Sequence, residues 1–285
     1  MILPGPDYPA PAKLNLFLHV LGRRPDGYHL LQTAFVLLDY GDTLRLRVRA
    51  DGRIVRIHPL AGVDAEHDLS VRAARLLQRE TGCKLGADIE LLKRLPMGGG
   101  LGGGSSDAAT VLIVLNRLWG TGLQRERLQQ LALTLGADVP VFVFGRSAFA
   151  EGVGEVLTPL TISPAYYLVL IPPLTVPTAE VFSAPELTRD TIPIKMSDFA
   201  EGAGHNDLQP VVCGRYPVVA EHLAWLKRFG DARFGDARMT GSGACVFAPF
   251  PSRQAAQAAA AELPPTMRGF VACSLSEHPL LDWVR

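Results

Sequence analysis

The chain has 285 residues, of which 48% are hydrophobic and 20% are charged. This composition predicts a folded protein with a sizeable core and excludes an intrinsically disordered chain. The 28 Lys and Arg residues balance 28 Asp and Glu residues, which leaves no net field to attract nucleic acid or an anionic membrane. We therefore expect neither as a partner, and any anionic ligand must be held by local geometry.

Cysteine usage and the apolar segments indicate the compartment. The four cysteines, Cys83, Cys213, Cys245 and Cys273, form no C-x-x-C pair, which favours free thiols in a reducing compartment. Prolines interrupt the N-terminal segment where a signal peptide needs its apolar run. The longest apolar runs are far shorter than the ~18 residues that span a membrane. We expect a soluble, cytoplasmic protein.

The first third of the chain predicts strands, a tight turn and one helix. Alternation of apolar and polar residues indicates the strands, and a Pro-Asp-Gly sequence indicates the turn. The predicted elements are strands over 13–21, 43–48 and 87–92, a turn over 23–27 and a helix over 70–80. Ser70 stands where the N-terminal cap of that helix is expected.

A dense glycine cluster follows. Six glycines occupy the seven positions 98–104, and only Leu101 interrupts them. Ordered glycine costs conformational entropy, so the cluster predicts a backbone that another group approaches closely. Apolar residues then recur at helical spacing and predict a helix over 105–119, capped by Ser105 or Ser106.

The rest of the chain carries fewer signals. It predicts a helix over Arg125–Leu135, a short buried strand over Val139–Phe144 and an Ala-rich helix over 254–263. After Gly154 the chain becomes rich in proline, which predicts a domain boundary near residue 155. The predicted domains are therefore 1–155 and 156–285.

Phosphate is the natural ligand of such a glycine loop, and proteins have three known kinds of glycine-rich phosphate site with which the loop can be compared. A P-loop needs Lys after its last glycine, but Ser105 stands there and 96–116 contains no lysine. The dinucleotide fingerprint matches at Gly98, Gly100 and Gly103, but a second helix follows where that fold needs a strand. The third possibility is a loop that holds phosphate with its backbone N–H groups and with the dipole of the helix that follows. The alternative is a glycine-rich turn that only packs a helix onto a sheet and binds no ligand.

A phosphate loop without its own lysine needs a cation and a base from elsewhere. Lys13 begins an apolar strand, and Asp138 lies between a helix end and an apolar run. A charge in apolar surroundings favours a functional role; the alternatives are a solvated lysine and an aspartate that caps a turn. Asp107 would compete with an anion bound at the helix start, so it either acts as a secondary cap or helps to hold a metal ion.

The chain carries three motifs in order: PAKLN at 11–15, LPMGGGLGGGSS at 95–106 and MTGSGACVF at 239–247. Together they resemble the three motifs of the GHMP kinases, the family of galactokinase and of the homoserine, mevalonate and phosphomevalonate kinases. The resemblance implies an α+β fold of two domains with the active site between them. The N-terminal domain would be ribosomal protein S5 domain 2-like and bind ATP; the C-terminal domain would be ferredoxin-like and bind the substrate.

The resemblance also implies a role for each matching residue. Asp138 would be the general base for the attacking hydroxyl, and Lys13 would keep it ionised and offset charge on the γ-phosphoryl group. ATP phosphates would lie on Pro96, Met97, Gly98, Gly99, Gly100, Leu101, Gly102, Gly103, Gly104, Ser105 and Ser106. Substrate contacts would come from Asn15, Tyr28, His29, Thr178 and Asn206. Mg²⁺ would accompany ATP, as in phosphoryl transfer generally, with its ligands unassigned.

Four further segments narrow the resemblance: DGYH at 26–29, LDYGD at 38–42, LGADVPVF at 135–142 and AEGVGE at 150–155. They resemble the family members that phosphorylate the C2 hydroxyl of a methylerythritol linked to cytidine diphosphate, in the non-mevalonate route to isoprenoid precursors. The ring of Tyr28 would stack on cytosine and His29 would hydrogen-bond its edge.

Two alternatives stay open. The chain could be a GHMP kinase with another acceptor, or a binding-only sensor of the same fold, although the presence of both Lys13 and Asp138 argues against a sensor. Hydrolases and metalloenzymes find little support, because no H-E-x-x-H pair occurs and 240–244 lacks the first glycine of a nucleophile elbow. A monomer and a homodimer are both compatible with the sequence.

Overall fold

Strands and helices are mixed along this computed structural model, which describes residues 5–200, 203–229 and 236–284. The strands are β1 (Tyr8–Arg23), β2 (His29–Arg49), β3 (Ile54–Arg56), β4 (Gly86–Leu92), β5 (Ala148–Glu151), β6 (Val156–Pro159), β7 (Tyr166–Leu170), β8 (Arg238–Met239), β9 (Val246–Phe250) and β10 (Gly269–Leu275). The helices are α1 (Leu69–Thr81), α2 (Gly103–Leu118), α3 (Arg125–Leu135), α4 (Val139–Phe144), α5 (Thr178–Ser183), α6 (Met196–Ala200), α7 (Leu208–Arg215), α8 (Pro217–Lys227) and α9 (Arg253–Ala261). The α+β prediction is confirmed.

Two long antiparallel strands, β1 and β2, form the centre of the N-terminal half. Residues 33–38 of β2 are all buried, so this strand lacks the alternation that marks a half-buried strand, and the sequence predicted only its end. The pairing shifts between Pro11 and Lys13 and again between Asn15 and Leu18. Such bulges change the direction of nearby side chains, and Lys13 and Asn15 lie between the two shifts.

Helix α2 is the main helix of the N-terminal core. Every residue from 106 to 116 is buried, and the core also includes side chains of α1, α3, α4 and the sheet. Thr110 Oγ1 donates to Pro9 O at 3.0 Å, and Trp119 Nε1 donates to Gly86 O at 3.2 Å. These contacts attach α2 to β1 and β4, so the start of α2 has a fixed position beside β1.

The two halves of the chain share one sheet. Its order is β3-β4-β2-β10-β7-β9-β8, with β1 and β5 also paired to β2. A second core lies between strands β7 to β9 and helices α5, α7, α8 and α9, whereas Leu280 and Val284 pack in the N-terminal core. The predicted boundary near residue 155 falls inside the β5–β6 hairpin. The division into 1–155 and 156–285 stays a prediction.

The structure corrects the predicted strand at Val139–Phe144, which is helix α4. A short apolar run cannot be assigned by periodicity alone. Here Pro140 stands in the first turn, where proline is favoured, and Gly145 ends the helix in the left-handed conformation (φ +75°). The correction matters for the site, because Asp138 becomes the residue at the helix N-terminus.

The other predicted helices are present, with ends shifted by up to two residues. The cap of α1 was predicted wrongly. The carboxylate of Asp68 accepts from Ser70 N at 2.8 Å, so Asp68 is the cap and Ser70 lies inside the helix.

All four cysteines are free, as predicted. Within the described ranges, no helix is long and apolar enough to cross a membrane.

Candidate active site

A cleft of about 560 Å³ brings the three sequence motifs together. Its walls are the glycine loop, the β1 residues Lys13 and Asn15, and the start of α4 at Asp138. Thr178, Phe182 and Ser242 line the side formed by the C-terminal half. The cleft is also lined by residues of the N-terminal half outside the three motifs: Leu60, Val63, His67, Asp68, Leu69, Leu91, Lys93 and Asp107.

Lys13 lines the cleft and is only 1% exposed. Its Nζ donates to Asn15 Oδ1 and lies 3.3 Å from Asp138 Oδ2. Its backbone N–H donates to Leu101 O at 3.0 Å, which attaches β1 to the glycine loop. A buried ammonium needs such partners, because removal from water costs several kcal/mol. The predicted proximity of Lys13 and Asp138 is therefore present, and the lysine is not solvated.

Asp138 occupies the N-cap position of α4 without acting as a cap. Its side chain makes no capping hydrogen bond and is 39% exposed. The carboxylate therefore faces Lys13 and the cleft instead of its own helix. A partly solvated carboxylate beside a fixed cation can accept a proton from a bound alcohol.

The glycine loop interlocks with the third motif. At Gly100 (φ +75°) an added Cβ would lie 2.2 Å from Thr240 O, and at Gly102 (φ +71°) it would lie 2.8 Å from Phe142 Cζ. Asn15 N donates to Thr240 Oγ1 at 3.0 Å, and that hydroxyl donates to Gly100 O at 3.2 Å. One hydroxyl thus joins all three motifs. Gly100 and Gly102 leave space for other atoms of the protein. The group predicted to approach the glycine backbone closely is therefore, in part, another segment of the same chain.

The start of α2 is open to an anion. Gly102 is its left-handed N-cap and supplies no side-chain bond, so the expected capping by Ser105 or Ser106 is wrong. Ser106 Oγ is buried without a hydrogen-bond partner in the described part of the chain. The first N–H groups of a helix have no partner inside it, and those of α2 border the cleft at Gly103 and Gly104. Together with the dipole of a 16-residue helix, they suit a phosphate group.

A buried ion network lies below this loop, and sequence reasoning missed it. Lys93 Nζ is paired with Asp42 and lies 3.0 Å from Asp107 Oδ2. Asp42 Oδ1 also accepts from Arg94 N and Leu95 N, at 2.6 and 2.8 Å. Lys93 precedes the glycine cluster, whereas the lysine of a P-loop follows its last glycine, so the motif comparison does not reveal it. Asp107 is thus a partner of Lys93 rather than a cap.

The charges in this network are unequal, with two carboxylates for one ammonium. Burial would lower the pKa of Lys93, but the charges of Asp107 and Asp42 outweigh it and raise that pKa. Burial raises the pKa of Asp107 to about 8, against the attraction of Lys93. The ammonium of Lys93 therefore stays charged below the loop where phosphate would lie, and its two carboxyl partners offset that charge.

Two predicted substrate residues line the cleft. Asn15 donates from Nδ2 to Thr33 Oγ1 at 3.0 Å, while its Oδ1 accepts from Lys13. Its amide orients the lysine. Thr178 begins α5, and its Oγ1 lies 2.7 Å from Ser242 Oγ, so the two hydroxyls form one polar edge of the cleft.

The other three predicted substrate residues are not in the cleft lining. Tyr28 is 64% exposed. His29 is buried, with its ring centroid 5.0 Å from that of Phe182, a residue of the cleft wall. Asn206 donates from Nδ2 to Met239 O and Gly241 O, at 2.8 and 2.9 Å. Both of its amide hydrogens are used, so the structure places Asn206 as a support of the third motif.

An uncapped glycine-rich helix start beside a lysine–aspartate pair suits phosphoryl transfer from a nucleoside triphosphate. The GHMP kinase N-terminal domain matches residues 68–146, and the GHMP kinase C-terminal domain matches residues 191–268. The chain belongs to the GHMP kinase family, and the resemblance of its three motifs is confirmed. It is an ATP-using enzyme with the two-domain α+β fold of that family.

Individual relatives indicate which members of the GHMP kinase family the chain is similar to. The 4-diphosphocytidyl-2-C-methyl-D-erythritol kinase of Aromatoleum aromaticum is 63% identical over 98% of this chain and 96% of its own length. The kinase of the same name from Thiobacillus denitrificans is 63% identical over 97% of this chain and 98% of its own length. A crystal structure of 4-(cytidine 5′-diphospho)-2C-methyl-D-erythritol kinase superposes with a TM-score of 0.80 at 33% identity, covering 94% of this chain and 99% of that one.

The interlock at Gly100 predicts a stability difference between two loop glycines. Gly100→Ala should lower the free energy of unfolding by about 2 kcal/mol or more, because the new Cβ meets Thr240 O in a left-handed backbone conformation. Gly104→Ala is the matched control, since its Cβ would meet nothing nearer than 3.6 Å. Urea unfolding of both variants measures the difference. Equal stability would contradict the interlock.

The ion network predicts a large effect for Lys93. Lys93→Met should lower the free energy of unfolding by about 3 kcal/mol or more, because Asp42 and Asp107 lose their shared cation while buried. Lys84→Met, at an exposed lysine, is the control and should change stability little. Thermal and urea unfolding give both values. An unchanged free energy of unfolding in Lys93→Met would show that the ion network does not stabilise the fold.

Proposed function

We propose that the protein transfers the γ-phosphoryl group of ATP to the C2 hydroxyl of 4-diphosphocytidyl-2-C-methyl-D-erythritol, a step of the non-mevalonate route to isoprenoid precursors. The observation that carries this proposal is the contact of 3.3 Å between Lys13 Nζ and Asp138 Oδ2 beside the glycine loop. The names of relatives at 63% identity over nearly the whole chain support the choice of acceptor.

Asp138 accepts the proton of the attacking hydroxyl in this proposal. Its carboxylate is partly exposed to the cleft, while Lys13 behind it is buried and held by Asn15. The lysine favours the ionised carboxylate and offsets negative charge on the transferred group. Positioning and electrostatics supply most of the catalysis in phosphoryl transfer, and both are provided by these three side chains.

The ATP phosphates occupy the glycine loop and the open start of α2. The hydrophobic side of the cleft beyond the loop, lined by Leu60, Val63, Leu69 and Leu91, suits the flat nucleobase, since cofactor pockets are mostly apolar. Lys93 below the loop adds positive charge, although Asp42 and Asp107 share it. Backbone N–H groups therefore provide most of the phosphate contacts.

Mg²⁺ accompanies ATP in this proposal. The ion prefers oxygen ligands and is usually held by one or two protein oxygens together with phosphates and water. Asp107 Oδ1 and Ser106 Oγ are buried oxygens without a partner among the described residues, so the residues present fit the ion. When bound, it neutralises charge on the phosphates.

The cytidine end of the acceptor lies toward the side formed by Thr178 and Phe182. Tyr28 presents an exposed ring that can stack on a base. His29, in ring contact with Phe182, provides a hydrogen-bonding group for the base edge. Asn206 acts indirectly here, since its amide holds the loop at Gly241.

Asp138→Asn tests the proposed base. The variant should lower kcat by about 10²-fold or more, because an amide cannot take the proton, while ATP affinity stays unchanged. Release of ADP from Mg·ATP with the cytidyl acceptor measures turnover, and the unfolding temperature checks the fold. Asp7→Asn, at an exposed ion pair with Arg45, is the control and should keep full activity. Normal turnover by folded Asp138→Asn would remove this carboxylate from the mechanism.

A further inference from the structure

One ring nitrogen of His29 acts as a hydrogen-bond acceptor because Arg189 donates to it. The side chain is 9% exposed, and its Nε2 lies 3.3 Å from Nε of Arg189, which donates to it. A guanidinium has only donors and does not lose its proton in proteins. Nε2 must therefore be the unprotonated nitrogen, and the hydrogen of the neutral imidazole is on Nδ1.

Arg189 is itself held in place by the polypeptide backbone. Its Nη1 donates to Leu187 O at 3.0 Å, and its Nη2 donates to Phe182 O and Ala184 O at 2.9 and 2.7 Å. These carbonyls lie at and just after the C-terminal end of α5, where a cation is favoured by the helix dipole. The arginine thus has a fixed orientation and cannot turn away from His29 without losing three hydrogen bonds.

The same arginine joins two elements beside the part of the cleft where we propose that the substrate binds. Helix α5 carries Thr178 and Phe182, which line the cleft, and Arg189 connects the end of this helix to His29 at the start of β2. In the described part of the chain, no group bonds to Nδ1 of His29. That nitrogen remains as the hydrogen-bonding atom of the ring.

We propose that Arg189 is a positioning residue that holds His29 in the Nδ1–H form and so sets the preference for cytosine over uracil. This inference rests on the proposed function. Cytosine has only acceptors at its N3 and O2 atoms, whereas uracil carries a hydrogen on N3. A fixed donor matches the first edge and opposes the second, and a wrongly paired polar group is expensive to bury.

Burial and the surrounding charges both disfavour the protonated form of His29. Burial, Arg189 and Arg23 each lower the pKa of His29 below its ordinary 6.5. A second ring proton would sit on Nε2, against the guanidinium. Loss of the Arg189 charge favours the protonated form, so the pKa of His29 rises in a variant without it.

The test reads the tautomer directly in the whole protein. Nitrogen-15 NMR of the imidazoles, with His29 identified by its absence in His29→Gln, should show the hydrogen on Nδ1 in the wild type. Arg189→Met should give a mixture of both forms, a higher His29 pKa and about tenfold weaker inhibition by cytidine diphosphate, with uridine diphosphate much less affected. The KM for ATP should not move.

Two further variants separate positioning from a general loss of structure. Arg189→Lys keeps a donor-only cation and should retain the Nδ1–H form and much of the cytosine preference. Arg215→Met is the matched control, since Arg215 also bonds to α5, at Glu180 O, and has no contact with His29; it should leave tautomer and preference unchanged. If Arg189→Met fails to fold, the lysine variant and the wild-type spectrum still decide.

A hydrogen on Nε2 in the wild type would overturn the proposal. So would an unchanged tautomer and an unchanged cytidine-to-uridine ratio in folded Arg189→Met. Failure of the proposed function gives a different result. In that case the wild-type protein does not bind cytidine diphosphate at all, while its NMR spectrum still shows the tautomer of His29.

Discussion

The site depends on one buried cation, the ammonium of Lys13. It is almost wholly removed from water, and it is stable there because Asn15 Oδ1 and the Asp138 carboxylate accept from or pair with it. The bulges in β1 give Lys13 its direction, and its backbone bond to Leu101 determines where the glycine loop lies. The proposed base and the proposed phosphate loop are thus both in contact with the residue that supplies the cation, and phosphoryl transfer depends on such positioning.

The three motifs, far apart in sequence, meet because their backbones approach more closely than side chains allow. Thr240 Oγ1 accepts from motif one at Asn15 and donates to motif two at Gly100. Glycine at position 100 makes this contact possible, and Asn206 holds the loop of motif three from the other side. The glycine cluster has therefore two functions. Part of it admits neighbouring protein atoms, and part of it, at the start of α2, leaves N–H groups open to the phosphate that we propose binds there.

Elements with long periodic patterns could be predicted from the sequence, and locally ambiguous ones could not. Helix α3 was predicted with its observed bounds, because its apolar residues recur over eleven positions. The six residues of α4 fit a strand and a helix equally well. The position of Asp138 at the start of a helix could therefore not be predicted from the sequence. Lys93 and Asp42 meet only through the fold, and no local pattern signals an ion pair between residues 51 positions apart.

The most direct measurement is ADP release from Mg·ATP with the wild-type protein and four acceptors: 4-diphosphocytidyl-2-C-methyl-D-erythritol, homoserine, mevalonate and galactose. Turnover with the cytidyl acceptor alone, abolished in Asp138→Asn, is the result that the proposed site predicts. Turnover only with another acceptor would contradict the assigned substrate while leaving the Lys13–Asp138 chemistry in place. Measurable ATP binding without turnover of any acceptor would contradict the catalytic role of that pair.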